Sequence, residues 1–294
     1  VPERKKKRGL TPFFRALGVL GMVLLGLVLG AGVFPWQSQA GRNRIIRWWS
    51  ALLLRVCGMR LQLDGVPLDP QIARAGIAPW TLGRLVLANH VSWIDVFAIN
   101  AVVPSRFVAK AEIGRWPVAG WLVTLSGVLY VERGRRHAVA AINQRVRERL
   151  QAGETVVVFP EGTTTDGRSL LPFHSNMVAP AVQAGCEIWP LALRYTQQGE
   201  PSDAAAFVGD MDLLTCLWNI LSARDLTAEI TLLPALSAAP GATRHQLAQQ
   251  ARAAIAAQLA IATVEPAPAV SPGPAAGRPD RAAAPAADPA SAGP

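Results

Sequence analysis

A histidine and a carboxylate five positions apart, His90 and Asp95 in Asn89-His90-Val91-Ser92-Trp93-Ile94-Asp95, close the apolar run Leu85-Val86-Leu87-Ala88. Such a run reads as a strand, and open α/β sheets collect their ligand sites at the carboxyl ends of strands. A carboxylate at this spacing can fix the imidazole tautomer and raise its basicity, which suits removal of a proton from a hydroxyl group. About seventy residues later Phe159-Pro160-Glu161-Gly162-Thr163-Thr164 follows another β-rich run, Thr155-Val156-Val157-Val158. Gly162 lets backbone come close to a substrate, as stabilising an oxyanion on a thioester carbonyl requires. Together the two runs suggest acyl transfer: His90 takes a hydroxyl proton, Asp95 orients the imidazole, and the second loop holds the acceptor. Either alone says less, because a lone strand-end histidine is usually structural and a tight turn often carries an exposed glutamate.

Competing chemistries lack their partners. The chain has no HExxH or paired-histidine spacing for zinc, no GxSxG elbow, no GxxxxGK[ST] loop and no GxGxxG turn. Ser92, two residues from His90, is better placed as a local hydrogen-bond partner than as a nucleophile. Three cysteines, Cys57, Cys186 and Cys216, show no CxxC spacing, so they read as buried thiols rather than as a disulfide framework or a metal site.

The elements that must position these residues follow an α/β rhythm. Candidate strands are 82–88, 106–109, 128–131, 155–159, 188–193 and 228–233, and the expected fold is a mostly parallel central sheet flanked by helices. Between the third and fourth strands, Ala138 to Gln151 sets Ala141, Ile142, Val146 and Leu150 on one helical face and ends near Gly153, as a crossover helix should. Trp116, Trp121 and the apolar residues around them read as packed core in preference to an acyl-chain channel.

The net charge of +9 is local: residues 1–60 hold eleven Lys/Arg against Glu3, and the remainder holds eighteen against nineteen acids. A basic excess beside an apolar anchor, with a nearly neutral body, argues against nucleic acid as a partner. Arg4-Lys5-Lys6-Lys7-Arg8 precedes Phe13 to Phe34, whose one charge is Arg15. As a helix at ~1.5 Å per residue, that stretch matches a ~30 Å hydrocarbon core, too long for a signal peptide. Arg42, Arg44, Arg47 and Arg55, interleaved with Ile45, Ile46, Trp48, Trp49 and Leu52 to Leu54, suit a helix in the headgroup region, so a re-entrant membrane hairpin is expected. Residues 1–60 thus form the basic, membrane-associated end and 61–263 the catalytic domain. The Ala/Pro-rich 264–294 reads as a disordered tail. The Ala/Arg/Pro-rich composition, the compact chain and Val1, which fits an alternative start codon, point to a bacterial source.

NHVSWID resembles the NHxSxxD signature of the glycerolipid acyltransferases, and FPEGTT resembles their FPEG box. Gly127-Val128-Leu129-Tyr130-Val131-Glu132-Arg133 is similar to the family's GxxFxxR, and Trp189-Pro190-Leu191-Ala192 to its proline-bearing strand. The resemblance implies direct attack in a ternary complex with His90 and Asp95 catalytic, and a substrate site from Asn89, Ser92, Arg133, Glu161, Gly162, Thr163, Thr164 and Pro190. It implies acyl-CoA or acyl carrier protein as co-substrate, no metal or bound cofactor, and a site at the cytoplasmic face of a bacterial inner membrane. The expected acceptor is a lysophospholipid, 1-acyl-sn-glycerol-3-phosphate first, giving phosphatidate. Thr164 and His174 stand where phosphatidate-forming members often carry cations, which weakens a phosphate-monoester site and keeps lyso-ornithine lipid in contention. A non-catalytic lipid-binding scaffold is the alternative of another class.

Overall fold

The computed structural model describes residues 11–65, 83–131, 136–237 and 241–264. Arg4 to Arg8, Leu82, Arg133 and the tail expected to be disordered, apart from its first residue Val264, lie outside that set. The described chain runs α1 (Thr11–Gly32), α2 (Gln39–Val56), β1 (Met59–Gly65), β2 (Arg84–Ala88), α3 (Asp95–Asn100), β3 (Arg106–Lys110), α4 (Ala119–Leu125), β4 (Leu129–Val131) and α5 (Arg136–Gln151). It continues with β5 (Thr155–Val158), β6 (Ser169–Leu170), α6 (Ala179–Ala184), β7 (Glu187–Gln197), β8 (Glu200–Pro201), α7 (Leu213–Ser222), β9 (Leu226–Leu232), α8 (Arg244–Leu259) and β10 (Ala262–Thr263).

The main sheet has the order β1-β9-β7-β2-β5-β3-β4, with β8 appended to β7. Strands β7, β2, β5, β3 and β4 run parallel, and β9 reverses direction against β7 before pairing parallel with β1. The mostly parallel sheet flanked by helices matches the expectation. Strand β1 was not foreseen: it lies at the sheet margin, and from Leu61 onward its side chains are half-buried or exposed, so it carries little apolar signal.

The two-residue period of the strands sorts the core into layers. Val86 and Ala88 of β2, Val157 and Phe159 at β5, and Trp189, Leu191, Leu193 and Tyr195 of β7 face the side covered by α1, α2, α3 and α7. Leu85, Leu87, Val156, Val158 and Ile188 face the opposite side, where Ile142, Val146 and Leu150 of α5 and Leu247 and Ala251 of α8 close the core. Strands β2 and β5 carry apolar residues on both faces because the sheet is covered on both.

The amino-terminal helices form a hairpin docked on the first layer. Trp49 Nε1 donates to the Met22 carbonyl at 3.0 Å, and Met22, Leu53 and Leu54 are buried in the same core as the strands. Gly26 and Gly30 permit this approach, since a Cβ on Gly30 would stand 2.4 Å from Leu125 and 2.8 Å from Trp121. Arg15 is turned inward and donates to the Leu221 and Ala223 carbonyls, both at 2.8 Å, satisfying the last turn of α7. On the outer side Phe13, Phe14, Leu17, Leu20, Leu24 and Val28 form an exposed stripe. Trp116 and Trp121, expected as core, are 44% and 41% exposed, although Trp121 lies against Gly30 of α1.

Candidate active site

Strand β2 ends at Ala88, and the next six residues turn back over the sheet edge to enter α3 at Asp95. That return brings the Asp95 carboxylate against its own loop: Oδ2 accepts from His90 Nδ1 at 2.8 Å, Val91 N at 2.8 Å and Ser92 N at 2.9 Å. Asp95 is fully buried, and its charge is stabilised by donors instead of water. The five-residue spacing is what lets one oxygen meet both backbone amides and the ring. With Nδ1–H directed at a carboxylate, Nε2 is left as the basic nitrogen, and among the described residues it has no hydrogen-bond partner. The ring lies flat on Phe159, centroids 3.9 Å apart and planes within 10°, and keeps 20% of its side chain exposed. A histidine in this state can take a proton from a group arriving from outside while the buried anion steadies the imidazolium that forms.

Neighbouring residues hold the loop in place. Asn89 continues the β2–β7 ladder with its side chain, donating from Nδ2 to the Leu193 carbonyl at 2.9 Å and accepting from Leu193 N at 2.8 Å. Because β2 and β5 are parallel neighbours, the second loop opens on the same edge. There Glu161, 4% exposed, accepts from His90 N at 2.8 Å through Oε1 and from Leu171 N at 3.0 Å through Oε2. Burial raises the Glu161 carboxyl to about 7, against the lowering effect of these two amides. Thr165 N returns the contact by donating to the His90 carbonyl at 2.9 Å.

Other expected site residues are spread around this centre. Gly162 closes the turn by donating to the Phe159 carbonyl at 3.1 Å, has φ +72°, and lies against the His174 ring. Thr163 is exposed, whereas the Thr164 hydroxyl donates to the Phe207 carbonyl. Ser92 is fully buried with its hydroxyl 3.9 Å from Cys216 Sγ. Pro190 sits inside β7, opposite Leu87, and its carbonyl accepts from Leu233 N at 3.0 Å. Arg133 lies outside the described residues. Two contributors escaped the motifs: Phe207, whose N–H donates to the Val91 carbonyl at 3.0 Å, and Tyr195, whose hydroxyl is 2.6 Å from Asp95 Oδ1. A signal for Tyr195 exists in the two-residue period of β7, which sends it to the same face as Leu191 and Leu193.

Comparison with known proteins identifies relatives along most of the chain. Residues 78–194 match the family model described as Acyltransferase. The chain is 37% identical over 248 residues to the lyso-ornithine lipid O-acyltransferase of Pseudomonas aeruginosa, covering 82% of this chain and 90% of that protein. It is 39% identical over 178 residues to the 1-acyl-sn-glycerol-3-phosphate acyltransferase of Neisseria gonorrhoeae, covering 60% and 70% respectively. The fold resembles the crystal structure of the 1-acyl-sn-glycerophosphate acyltransferase of Thermotoga maritima, with a TM-score of 0.58 at 16% identity over 84% of this chain and 96% of that one. With a relative matched along most of both chains and the two motif loops joined through the buried Glu161, the chain belongs to the glycerolipid/lysophospholipid acyltransferase family.

Proposed function

We propose that the protein moves a fatty acyl group from a thioester, acyl-CoA or acyl carrier protein, to the free hydroxyl of a lysolipid at a bilayer surface. The observation that carries this is His90 held through Nδ1 by Asp95 with Nε2 open. In the proposed step the lysolipid hydroxyl attacks the thioester carbonyl while Nε2 takes its proton. Asp95 stabilises the imidazolium, and collapse of the tetrahedral intermediate expels the thiolate, which recovers the proton as a free thiol. No metal or bound cofactor enters, because the donor is already activated. Gly162, Thr163 and Arg133 border the acceptor in this scheme. Asn89, Ser92, Glu161, Thr164 and Pro190 hold the loops or sheet that form the site.

For the acceptor we favour lyso-ornithine lipid, the substrate named for the relative that matches most of this chain. Thr164 supports it, since its hydroxyl is engaged with backbone and presents no cation to a phosphate monoester. The second acceptor is 1-acyl-sn-glycerol-3-phosphate, favoured by the name of the Neisseria relative and by the exposed Arg168 of the second loop. We place the site at the cytoplasmic face of a bacterial inner membrane. The α1 stripe, 54–70% exposed, suits immersion in one leaflet better than a free span, because the inner face of the helix is docked on α2, α4 and α7.

The test offers the purified full chain both lysolipids with each donor. Turnover with one acceptor is expected, reduced by about 10²- to 10⁴-fold in His90→Ala. Full activity in that variant would overturn the general-base role, and inactivity with every acceptor would favour the lipid-binding scaffold.

A further inference from the structure

The Asp95 carboxylate is held unequally at its two oxygens. Oδ2 accepts three bonds from its own loop, while Oδ1 has among the described residues one donor, the Tyr195 hydroxyl at 2.6 Å. That distance is in the range of a charge-assisted O–H···O⁻ bond. Tyr195 stands on β7, a hundred residues from Asp95, and is 2% exposed. No other partner of its hydroxyl occurs among the described residues. Burial, reinforced by the Asp95 charge, pushes the phenol well above its ordinary range, so the hydroxyl stays protonated and donates.

We propose that Tyr195 is a positioning residue for the His90–Asp95 pair: its hydroxyl fixes Oδ1 and sets how strongly Asp95 holds the proton it shares with His90. This rests on the catalytic roles proposed above. A tyrosine that merely filled the core could do so as phenylalanine, since the ring belongs to the apolar cluster on this face of the sheet. The hydroxyl instead withdraws electron density from the carboxylate that must stabilise the imidazolium. Without it Oδ1 is a buried anionic oxygen lacking its donor, the proton on His90 is held more tightly, and less histidine is in the basic form at a given pH. Other titratable groups facing this pair are Glu161, which reaches it through His90 N, and Cys216 of α7, whose thiol burial pushes up. Neither contacts Oδ1.

Tyr195→Phe is expected to move the acid limb of the pH profile up by about one unit, the scale of one charge-assisted hydrogen bond, so that kcat measured below that limb falls about 10-fold. KM for acceptor and donor should stay within about twofold, because the hydroxyl touches neither substrate. The chain has two tyrosines, the other being Tyr130, so biosynthetic 3-fluorotyrosine in a Tyr130→Phe background labels Tyr195 alone. A more acidic phenol is a stronger donor, and the acid limb should then move to lower pH. Opposite displacements in the two proteins support the proposal. An unmoved limb in both, or a change confined to KM, overturns it while leaving the His90 role intact. Should Tyr195→Phe fail to fold, the fluorinated protein decides alone: a downward displacement supports the proposal and an unmoved limb overturns it. Loss of activity in His90→Ala is the separate control for the general base, and its absence would overturn that reading first.

Discussion

Glu161 couples the two loops through a group that titrates near neutrality, and this makes the stability of the site depend on pH in a calculable direction. Its carboxyl lies at about 7 when folded against 4.5 for the exposed reference, with burial as the main cause. The folded state therefore holds a proton that the unfolded state has released between those values. Stability is greatest below the unfolded value and is lost as pH rises through the folded one. At 1.36 kcal/mol per unit the full loss is about 3 kcal/mol, most of which falls between about pH 5 and pH 8. Glu161→Gln removes the titration. It also sets an amide NH₂ against one of the N–H groups of His90 and Leu171, a cost of about 1–3 kcal/mol that does not vary with pH. Denaturant unfolding of both proteins in the same micelles, repeated across this pH range, isolates the effect, since every other group cancels in the difference. The stability of Glu161→Gln relative to wild type should improve by about 2–3 kcal/mol toward alkaline pH. Parallel stability curves, agreeing to within about 0.5 kcal/mol of a constant offset, would refute a neutral-range carboxyl at this position.

Asp95→Asn keeps an oxygen for His90, Val91 and Ser92 and turns an NH₂ toward the Tyr195 oxygen, so the fold should persist while the imidazole loses its anion. A fall in kcat of about 10³- to 10⁴-fold is expected, with little change in melting temperature, followed by steady-state kinetics alongside circular dichroism. Asn89→Ala breaks both bonds to Leu193 and leaves a buried N–H and carbonyl unpaired, which should destabilise the protein by about 2–4 kcal/mol in denaturant unfolding. A loss under about 0.5 kcal/mol would mean that the β2–β7 junction does not depend on that side chain.

What the sequence made legible was what lies close along the chain. His90 and Asp95 announce each other because a five-residue return suffices to bring them together. Strand β2, an apolar run closed by a polar loop, is visible for the same reason, as are Ile142, Val146 and Leu150 on the inner face of α5. Polar residues were harder to interpret, because residue type does not reveal which backbone groups remain to be satisfied. Asn89 and Glu161 carry the donors and acceptors expected of substrate contacts, yet their side chains meet Leu193, His90 and Leu171. The exposure of Trp116 and Trp121 was hidden too, because a half-exposed apolar segment has the composition of a buried one.

Strand order was the information most needed and least available. Asp95 meets Tyr195 only because β7 lies next to β2, a neighbour separated from it in sequence by every element from α3 to α6. Once that adjacency is known, parity does the rest: Ala88 is registered with Leu191, Asn89 reaches Leu193, and Tyr195 follows two residues later on the same face. The site is therefore a joint between two strands, with Asn89 and Tyr195 spanning it at successive steps of the β7 pleat. Displacement of β7 relative to β2 by one residue would turn Tyr195 to the opposite face of the sheet and leave Oδ1 without its donor. The bonds of Asn89 to Leu193 oppose that displacement, which links the stability role of Asn89 to the geometry at Asp95. The loss of stability in Asn89→Ala should accordingly be accompanied by a change in the acid limb of the pH profile in the same direction as in Tyr195→Phe.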